Sequence, residues 1–188
     1  MTRIAIALTP DFADWESALL SAVARSYLGA EIITASPDGA PVTSMGGLKV
    51  MPDVAYGALD PASIDALIVP GGLSWESGSA PDFTEMVQRF RREGRVVAGI
   101  CAAASMLGGT GVLNDVAHTG NSLTSHQAYP AYTGTDYYRD QPQAVSDKGV
   151  VTAAGTAPIS FTMEVLKALD LWGPEAEAEI KAFAAEHR

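Results

Sequence analysis

The chain has 188 residues, of which 47% are hydrophobic, and it carries a formal net charge of −10 at pH 7. This length predicts one domain, spanning residues 1–188, with a core of substantial size. Because 22 acidic residues outnumber 12 basic ones, a basic face that binds nucleic acid or an anionic membrane is not expected.

Short apolar runs and helical patterns alternate from the N-terminus onwards. Predicted strands occupy residues 4–8, 31–35, 65–70, 95–100, 116–119, 144–146 and 150–154. Predicted helices occupy residues 14–28, 81–93, 102–109, 122–127, 158–169 and 174–187, and residues 42–45 and 48–51 predict a β-hairpin. Asp14 is expected to cap the first helix, and the turn-rich aromatic stretch 128–141 is expected to form a surface loop.

This alternation predicts an α/β fold with a mostly parallel central sheet covered by helices on both faces. In such sheets, functional residues gather where the carboxyl ends of the strands meet the loops that follow them. Three candidate features fall on that edge. They are Glu16, the run Gly71-Gly72-Leu73, and Cys101.

Cys101 is the single cysteine of the chain. It therefore excludes an intrachain disulfide and a thiolate-rich zinc site, and it fits a reducing compartment. The N-terminal apolar run is too short for a signal peptide, and no segment approaches the roughly 20 apolar residues that span a bilayer. We expect a cytoplasmic protein with no membrane partner.

The run Gly99-Ile-Cys101-Ala-Ala103 is the thiol counterpart of the Gly-x-Ser-x-Gly nucleophile elbow. Small neighbours allow a sharp turn between strand and helix, so that the sulfur lies beside free N–H groups at the start of the helix. These groups favour thiolate over thiol. The pattern therefore predicts a nucleophile whose pKa lies below the free-cysteine value of about 8.5, rather than an inert core residue.

Glu16 lies in the first turn of its helix, where a carboxylate ordinarily only favours the helix dipole. Its position on the same edge as Cys101 suggests a second role. A carboxyl beside a thiolate shares one proton with it, because two like charges disfavour each other. We predict that protonated Glu16 donates a hydrogen bond to the sulfur.

The run Gly71-Gly72-Leu73 has two interpretations, a tight turn or an exposed set of backbone donors. In the second, the N–H groups of Gly72 or Leu73 join that of Ala102 in an oxyanion hole for a carbonyl attacked by sulfur.

Three histidines, His118, His126 and His187, are candidates to move protons for the thiol. His118 is the best placed because it follows the elbow helix on a predicted strand. Whether His118, His126 or neither reaches the sulfur is left open. Neither of these two has a partner at metal-ligand spacing, so we predict no metal, and we expect no cofactor.

Four motifs together resemble the ThiJ/PfpI superfamily, the class I glutamine-amidotransferase-like group that includes the Parkinson-disease-associated deglycase. They are Asp14-Trp-Glu16, Ile68-Val-Pro-Gly-Gly72, Ala98-Gly-Ile-Cys101-Ala-Ala-Ala and Gly155-Thr-Ala-Pro-Ile-Ser-Phe161. The resemblance covers nearly the whole chain. It implies a flavodoxin-like α/β/α sandwich, often dimeric, with Cys101 as nucleophile and Glu16 as its hydrogen-bonding acid.

The chain departs from that pattern after the elbow helix. Many members read small-Thr-Thr/Ser-His/Tyr there, whereas this chain reads Ala117-His-Thr-Gly-Asn121, so the family histidine position falls on Gly120. His118, two residues earlier, would share the face of Gly120 on an extended strand. His118 either takes the place of the missing family histidine or lies only close to its position.

Three functions follow as hypotheses. The first is an enzyme that uses Cys101 against a small carbonyl or amide-type electrophile, as a hydrolase or a glyoxalase-like or deglycase-like lyase. The second is a redox or stress-response protein in which Cys101 is oxidised with little turnover. The third is a peptidase or glutaminase-type amidase, which the displaced imidazole disfavours. The expected partners are a small-molecule substrate or oxidant and, from the resemblance, a second copy of the chain.

Overall fold

The computed structural model of the protein describes residues 1–185. Its strands are β1 Arg3–Ala7, β2 Glu31–Ser36, β3 Val42–Thr43, β4 Lys49–Val50, β5 Val54–Ala55, β6 Ala66–Val69, β7 Val96–Ile100, β8 Val145–Asp147 and β9 Val150–Ala153. Its helices are α1 Asp14–Ser26, α2 Leu73–Glu76, α3 Thr84–Arg92, α4 Ala102–Gly109, α5 Leu123–Gln127, α6 Pro158–Ala168 and α7 Pro174–Ala184. The predicted end of the last helix, at His187, lies outside the described residues.

The central sheet has seven strands in the order β5-β2-β1-β6-β7-β9-β8. All neighbouring pairs are parallel except β8 with β9. Strands β6, β7 and β9 are buried along their whole length. Apart from Thr152 in β9, their residues are apolar without alternation, as is typical of strands covered on both faces. β3 and β4 form the predicted hairpin as a separate antiparallel pair.

Helices cover both faces of this sheet. On one face, Leu20 of α1 and Phe161 of α6 pack against Ile4 and Ile68. On the other face, residues of α3 and α4 pack against a second apolar cluster that includes Leu67. Successive residues of a strand point to opposite faces, so β6 supplies both layers. The arrangement is a flavodoxin-like α/β/α sandwich, as predicted.

The strand order decides where the functional groups meet. β1 lies between β2 and β6, and β6 lies between β1 and β7. The chain therefore leaves three adjacent strands at the same edge, on its way to α1, α2 and α4 in turn. Side chains that follow β1, β6 and β7 come together there, which is the place where such sheets bind ligands.

Two helix starts differ from prediction. Asp14 does not cap α1, because Ala13 occupies the cap position without a side-chain hydrogen bond. The Asp14 carboxylate instead accepts the N–H of Gly46 at 2.8 Å, which ties the helix to the β3–β4 hairpin. α3 begins at Thr84 rather than near residue 81, and the Asp82 carboxylate accepts the Thr84 N–H at 2.8 Å.

Residues 116–119 do not form the predicted strand, since only one isolated bridge, between His118 and Tyr138, occurs there. The His118 backbone bonds to the backbone of Tyr137 and Arg139, and the N–H groups on either side of it bond to side chains. The N–H of Ala117 donates to Asp147, and that of Thr119 donates to the Thr152 hydroxyl, both at 2.8 Å. The segment therefore crosses the end of the sheet without joining it.

No helix within residues 1–185 has the length and the apolar character that crossing a membrane requires.

The turn after β6 demands a glycine, which gives a test of the fold. Gly72 has φ 148°, and a Cβ there would overlap the Asp11 carbonyl and lie 2.7 Å from the Phe12 Cα. We expect Gly72→Ala to lower the free energy of unfolding by roughly 2 kcal/mol or more, measured by urea denaturation. Gly57→Ala is the matched control, because a Cβ at Gly57 would meet nothing within 4 Å. Equal stabilities of the two variants would contradict this account.

Candidate active site

The site is built around Cys101, which stands alone between β7 and α4. Its backbone has φ 61° and ψ −130°, a conformation that residues other than glycine rarely adopt. The Cys101 N–H donates to the Ala153 carbonyl at 2.9 Å, so the neighbouring strand holds the residue in place. The turn is therefore the sharp elbow predicted from the sequence, and it leaves Cys101 partly exposed.

Glu16 approaches the sulfur from the interior. Its side chain is 1% exposed, although it begins in the first turn of α1. Oε2 accepts the N–H of Gly71 at 2.5 Å, which fixes the carboxyl against the end of β6. Oε1 has no hydrogen-bond partner of regular geometry among residues 1–185.

Two glycines bring the carboxyl and the thiol together. A Cβ on Gly71 would lie 2.7 Å from the Cys101 Cβ and 3.0 Å from Glu16 Oε2. A Cβ on Gly155 would lie 2.8 Å from the Cys101 sulfur and 3.0 Å from Glu16 Oε1. Any side chain at either position would collide with both functional groups. The sequence indicates Gly155 only as part of the family motif, and the structure shows that it borders the Cys101 sulfur and the Glu16 carboxyl.

Asn121 is the polar side chain on the open side of the sulfur. Its Nδ2 donates to the Cys101 sulfur at 3.3 Å, and its Oδ1 accepts the Gly155 N–H at 3.0 Å. The Gly155 carbonyl in turn accepts the indole N–H of Trp15 at 3.0 Å. Sequence reasoning missed this residue. The available signal was its position directly after Gly120, where the family histidine was expected.

An open pocket of about 610 Å³ leads to the sulfur. This volume lies within the usual range for small-molecule sites. The Cys101 thiol is the one titratable group among the residues that line this pocket, and no lysine, arginine, aspartate or glutamate is among them. The lining consists of Trp15, Cys101, Asn121, Gly155, Thr156 and Pro158.

The predicted backbone donors are only partly available. The N–H of Gly71 is occupied by Glu16, and that of Leu73 donates to the Asp11 carbonyl at 3.1 Å. The N–H of Ala102 faces the thiol, where it lowers the pKa of Cys101. The N–H of Gly72 takes part in none of these three contacts. Neither the 71–73 turn nor Ala102 lines the pocket.

His118 does not bond to the thiol. It is fully buried, and its two ring nitrogens lie 2.8 Å from the Val116 carbonyl and 2.8 Å from the Tyr132 hydroxyl. The reasoning that placed it near Cys101 assumed an extended strand, which this segment does not form. Burial lowers the pKa of His118, which favours the neutral form of the ring.

His126 packs against His118, with ring centroids 5.2 Å apart, and it is also fully buried. Neither of its ring nitrogens has a hydrogen-bond partner of regular geometry among residues 1–185. Burial and, to a smaller extent, the neighbouring His118 lower the pKa of His126 to about 4. Both rings therefore belong to a buried aromatic cluster, together with Tyr132 and Tyr138.

The electrostatics of Glu16 and Cys101 are those of one coupled pair. Burial raises the pKa of Glu16 to about 7, against the lowering effect of the Gly71 N–H and of Cys101. Burial also raises the pKa of the Cys101 thiol, as does the charge of Glu16, whereas the Asn121 amide and the Ala102 N–H lower it. The predicted simple lowering of the thiol pKa is therefore wrong in direction. The expectation counted the dipole of the helix and omitted the cost of burying a second negative charge.

Within residues 1–185, no three His, Cys, Asp or Glu side chains come together as a metal site would require.

Comparison with known proteins places this site in a family. A sequence model of the DJ-1/PfpI family matches residues 2–168. The crystal structure of the DJ-1 superfamily protein Atu0886 from Agrobacterium tumefaciens is 73% identical, covers 100% of both chains and superposes with a TM-score of 0.99.

Two curated proteins show how differently such relatives are described. The "uncharacterized protease YoaZ" of Bacillus subtilis is 34% identical over 86% of this chain and 80% of its own length. The "glutathione-independent glyoxalase DJR-1.2" of Caenorhabditis elegans is 22% identical over 78% of this chain and 76% of its own length.

The buried carboxyl makes stability depend on pH. Because the pKa of Glu16 rises from 4.5 to about 7 on folding, the folded state holds a proton that the unfolded state has lost. Stability is therefore full below the unfolded pKa and falls as the pH rises through the folded one, by roughly 3 kcal/mol. We expect Glu16→Gln to remove this fall. The check is urea denaturation of both proteins between pH 4 and pH 8, and parallel curves would contradict the assignment.

The buried His126 acts in the opposite pH range. Its pKa falls from 6.5 to about 4 on folding, so stability is full at neutral pH and is lost as the pH falls through the unfolded pKa. The loss amounts to roughly 3 kcal/mol. Replacing His126 with Phe removes no hydrogen bond of regular geometry. We expect the variant to lose less stability than wild type between pH 7.5 and pH 4, each compared with its own value at pH 7.5. Identical slopes would contradict this.

Proposed function

This chain belongs to the DJ-1/PfpI family, and we propose that it is an enzyme in which Cys101 attacks the carbonyl carbon of a small electrophile. The observation that carries the proposal is the isolation of one acid–thiol pair. Glu16 and Cys101 lie together at an uncharged pocket, and His118 and His126 are held in a separate cluster.

The shared proton prepares the sulfur. With the pKa of Glu16 at about 7, the pair holds one proton at neutral and mildly alkaline pH. In the reactive form this proton is on Glu16 Oε1, which has no hydrogen-bond partner of regular geometry among the described residues. The sulfur is then a thiolate that accepts the Asn121 N–H. Only this tautomer is nucleophilic, so reactivity follows the first ionisation of the pair.

The attack itself is an addition. The sulfur forms a bond to the carbonyl carbon while the π pair of the C=O bond moves to the oxygen. The proton held by Glu16 then passes to that oxygen, which leaves a neutral hemithioacetal and a Glu16 carboxylate. Glu16 is now the base beside the adduct, and it can take up a proton from the substrate carbon or oxygen in later steps.

The pocket supports a small and neutral substrate. Its lining offers the Trp15 ring and Pro158 as apolar surface and no cationic side chain to hold a carboxylate or phosphate. α-Oxoaldehydes meet these conditions. A curated relative named as a glyoxalase supports the same class of substrate.

Peptide or amide hydrolysis is less well supported, although YoaZ is named as a protease. An amine leaving group needs a proton donor on the open side of the sulfur. Asn121 occupies that side, and a carboxamide cannot transfer a proton at neutral pH.

Oxidation of Cys101 is a second candidate function, because two hydrogen-bonding groups flank a partly exposed sulfur. Asn121 donates to it, and Glu16 Oε1 lies beside it without another partner of regular geometry. Both groups would stabilise the oxygens of a sulfenic or sulfinic acid formed by peroxide.

Turnover of methylglyoxal separates these functions. We expect Cys101→Ser to reduce kcat/KM to the uncatalysed background, and wild-type kcat/KM to rise with pH through about 7 as the pair loses its first proton. Ser105→Ala is the matched control, since Ser105 lies in the helix that follows Cys101 and its buried hydroxyl has no hydrogen-bond partner within residues 1–185. Equal turnover by wild type and Cys101→Ser would overturn the proposal. The redox function would be favoured if wild type shows no turnover and gains oxygen in its intact mass after peroxide treatment, whereas Cys101→Ser gains none.

A further inference from the structure

We infer that the Asn121 amide donates the hydrogen bond that stabilises the negative charge on the substrate oxygen during attack by Cys101. This inference rests on the proposed function, because it takes addition to a carbonyl as the reaction. It assigns to a side chain the role that the sequence suggested for backbone groups.

The orientation of the amide is fixed by its surroundings. The Gly155 N–H donates to Oδ1 at 3.0 Å, so this atom must be the oxygen. The reverse orientation would set the NH₂ group against another donor and would turn the oxygen towards the thiolate. The NH₂ group therefore faces the sulfur side of the site.

The amide nitrogen has a hydrogen to spare. Of its two protons, one is directed to the Cys101 sulfur at 3.3 Å, and Nδ2 makes no other hydrogen bond among residues 1–185. Asn121 is exposed and lines the pocket beside the sulfur. A carbonyl whose carbon contacts the sulfur would bring its oxygen within reach of this free N–H.

The donor is held before the substrate arrives. The indole N–H of Trp15 donates to the carbonyl of the Gly155 peptide, whose N–H holds Asn121. Trp15 directly precedes Glu16 in α1, so one helix positions both the proton donor and, through Gly155, the amide. Preorganised donors of this kind stabilise a developing oxyanion without reorganisation. Trp15 is thus a positioning residue.

The backbone alternatives are less suitable. The N–H groups of Gly71 and Leu73 are already occupied, and that of Ala102 faces the sulfur. The 71–73 turn does not line the pocket, whereas Asn121 does. An amide also stabilises the oxygen without exchanging a proton, so proton transfer is left to Glu16.

The test compares two reactions of the same sulfur. The thiolate adds to 1,1,1-trifluoroacetone to give a stable hemithioketal oxyanion, and it displaces iodide from iodoacetamide without forming an oxyanion. For Asn121→Ala we expect the dissociation constant of the ketone adduct, followed by ¹⁹F NMR, to rise about 100-fold. The maximal alkylation rate at high pH should stay within about threefold, because that step needs no oxyanion donor.

Asn121→Ser is the second variant, since it keeps a polar side chain at this position that is too short to reach the substrate oxygen. It should show the same selective loss. Gln127→Ala removes an exposed amide from the same segment and should change neither reaction. If the Asn121 variants lose both reactions in parallel, or keep the ketone affinity of wild type, the role of Asn121 is overturned while the proposed function stands. A wild type that reacts with iodoacetamide but forms no ketone adduct would overturn the proposed function and this inference with it.

Discussion

The burial of the Glu16 carboxyl beside the Cys101 thiol is the constraint on which the rest of the site depends. The Gly71 N–H holds one carboxyl oxygen at 2.5 Å, and the side chain is almost completely buried. Two negative charges this close together are costly in a poorly solvated site. The order of the strands brings the pair together, because Glu16, Gly71 and Cys101 follow the three neighbouring strands β1, β6 and β7 at one edge of the sheet. Moving any of these strands by one position in the sheet would separate the acid from the sulfur.

The same constraint explains why the site contains so few other groups. Gly71 and Gly155 leave no room for a side chain against the pair, and the pocket adds only neutral residues. An imidazole beside the sulfur would compete with Glu16 for the shared proton. Asn121 does not, because its amide donates hydrogen bonds and does not titrate. This composition supports the proposed reaction, in which one carboxyl moves one proton.

Features set by the local pattern were predicted well, and features set by distant contacts were not. The runs around Ile68 and Ile100 indicate buried parallel strands from their composition alone, and the elbow at Cys101 follows from its small neighbours. By contrast, Asp14 bonds to Gly46 across the molecule, a contact that the local cap pattern does not contain. The sequence of residues 116–119 is typical of a strand, but the segment bonds to the side chains of Asp147 and Thr152 and to the backbone of residues 137 and 139 instead of joining the sheet. The prediction that His118 lies near Cys101 is wrong for the same reason, because it assumes that residues 116–119 form an extended strand.

The position of Trp15 makes its fluorescence sensitive to what occupies the pocket. Its ring is half exposed at the rim of the pocket, and its N–H is held by the Gly155 carbonyl. A molecule that enters the pocket must displace water from one face of this indole while the hydrogen bond keeps the ring still. The emission of Trp15 should therefore shift to shorter wavelengths on occupancy. The protein thus carries its own optical reporter, with which unlabelled compound collections can be screened.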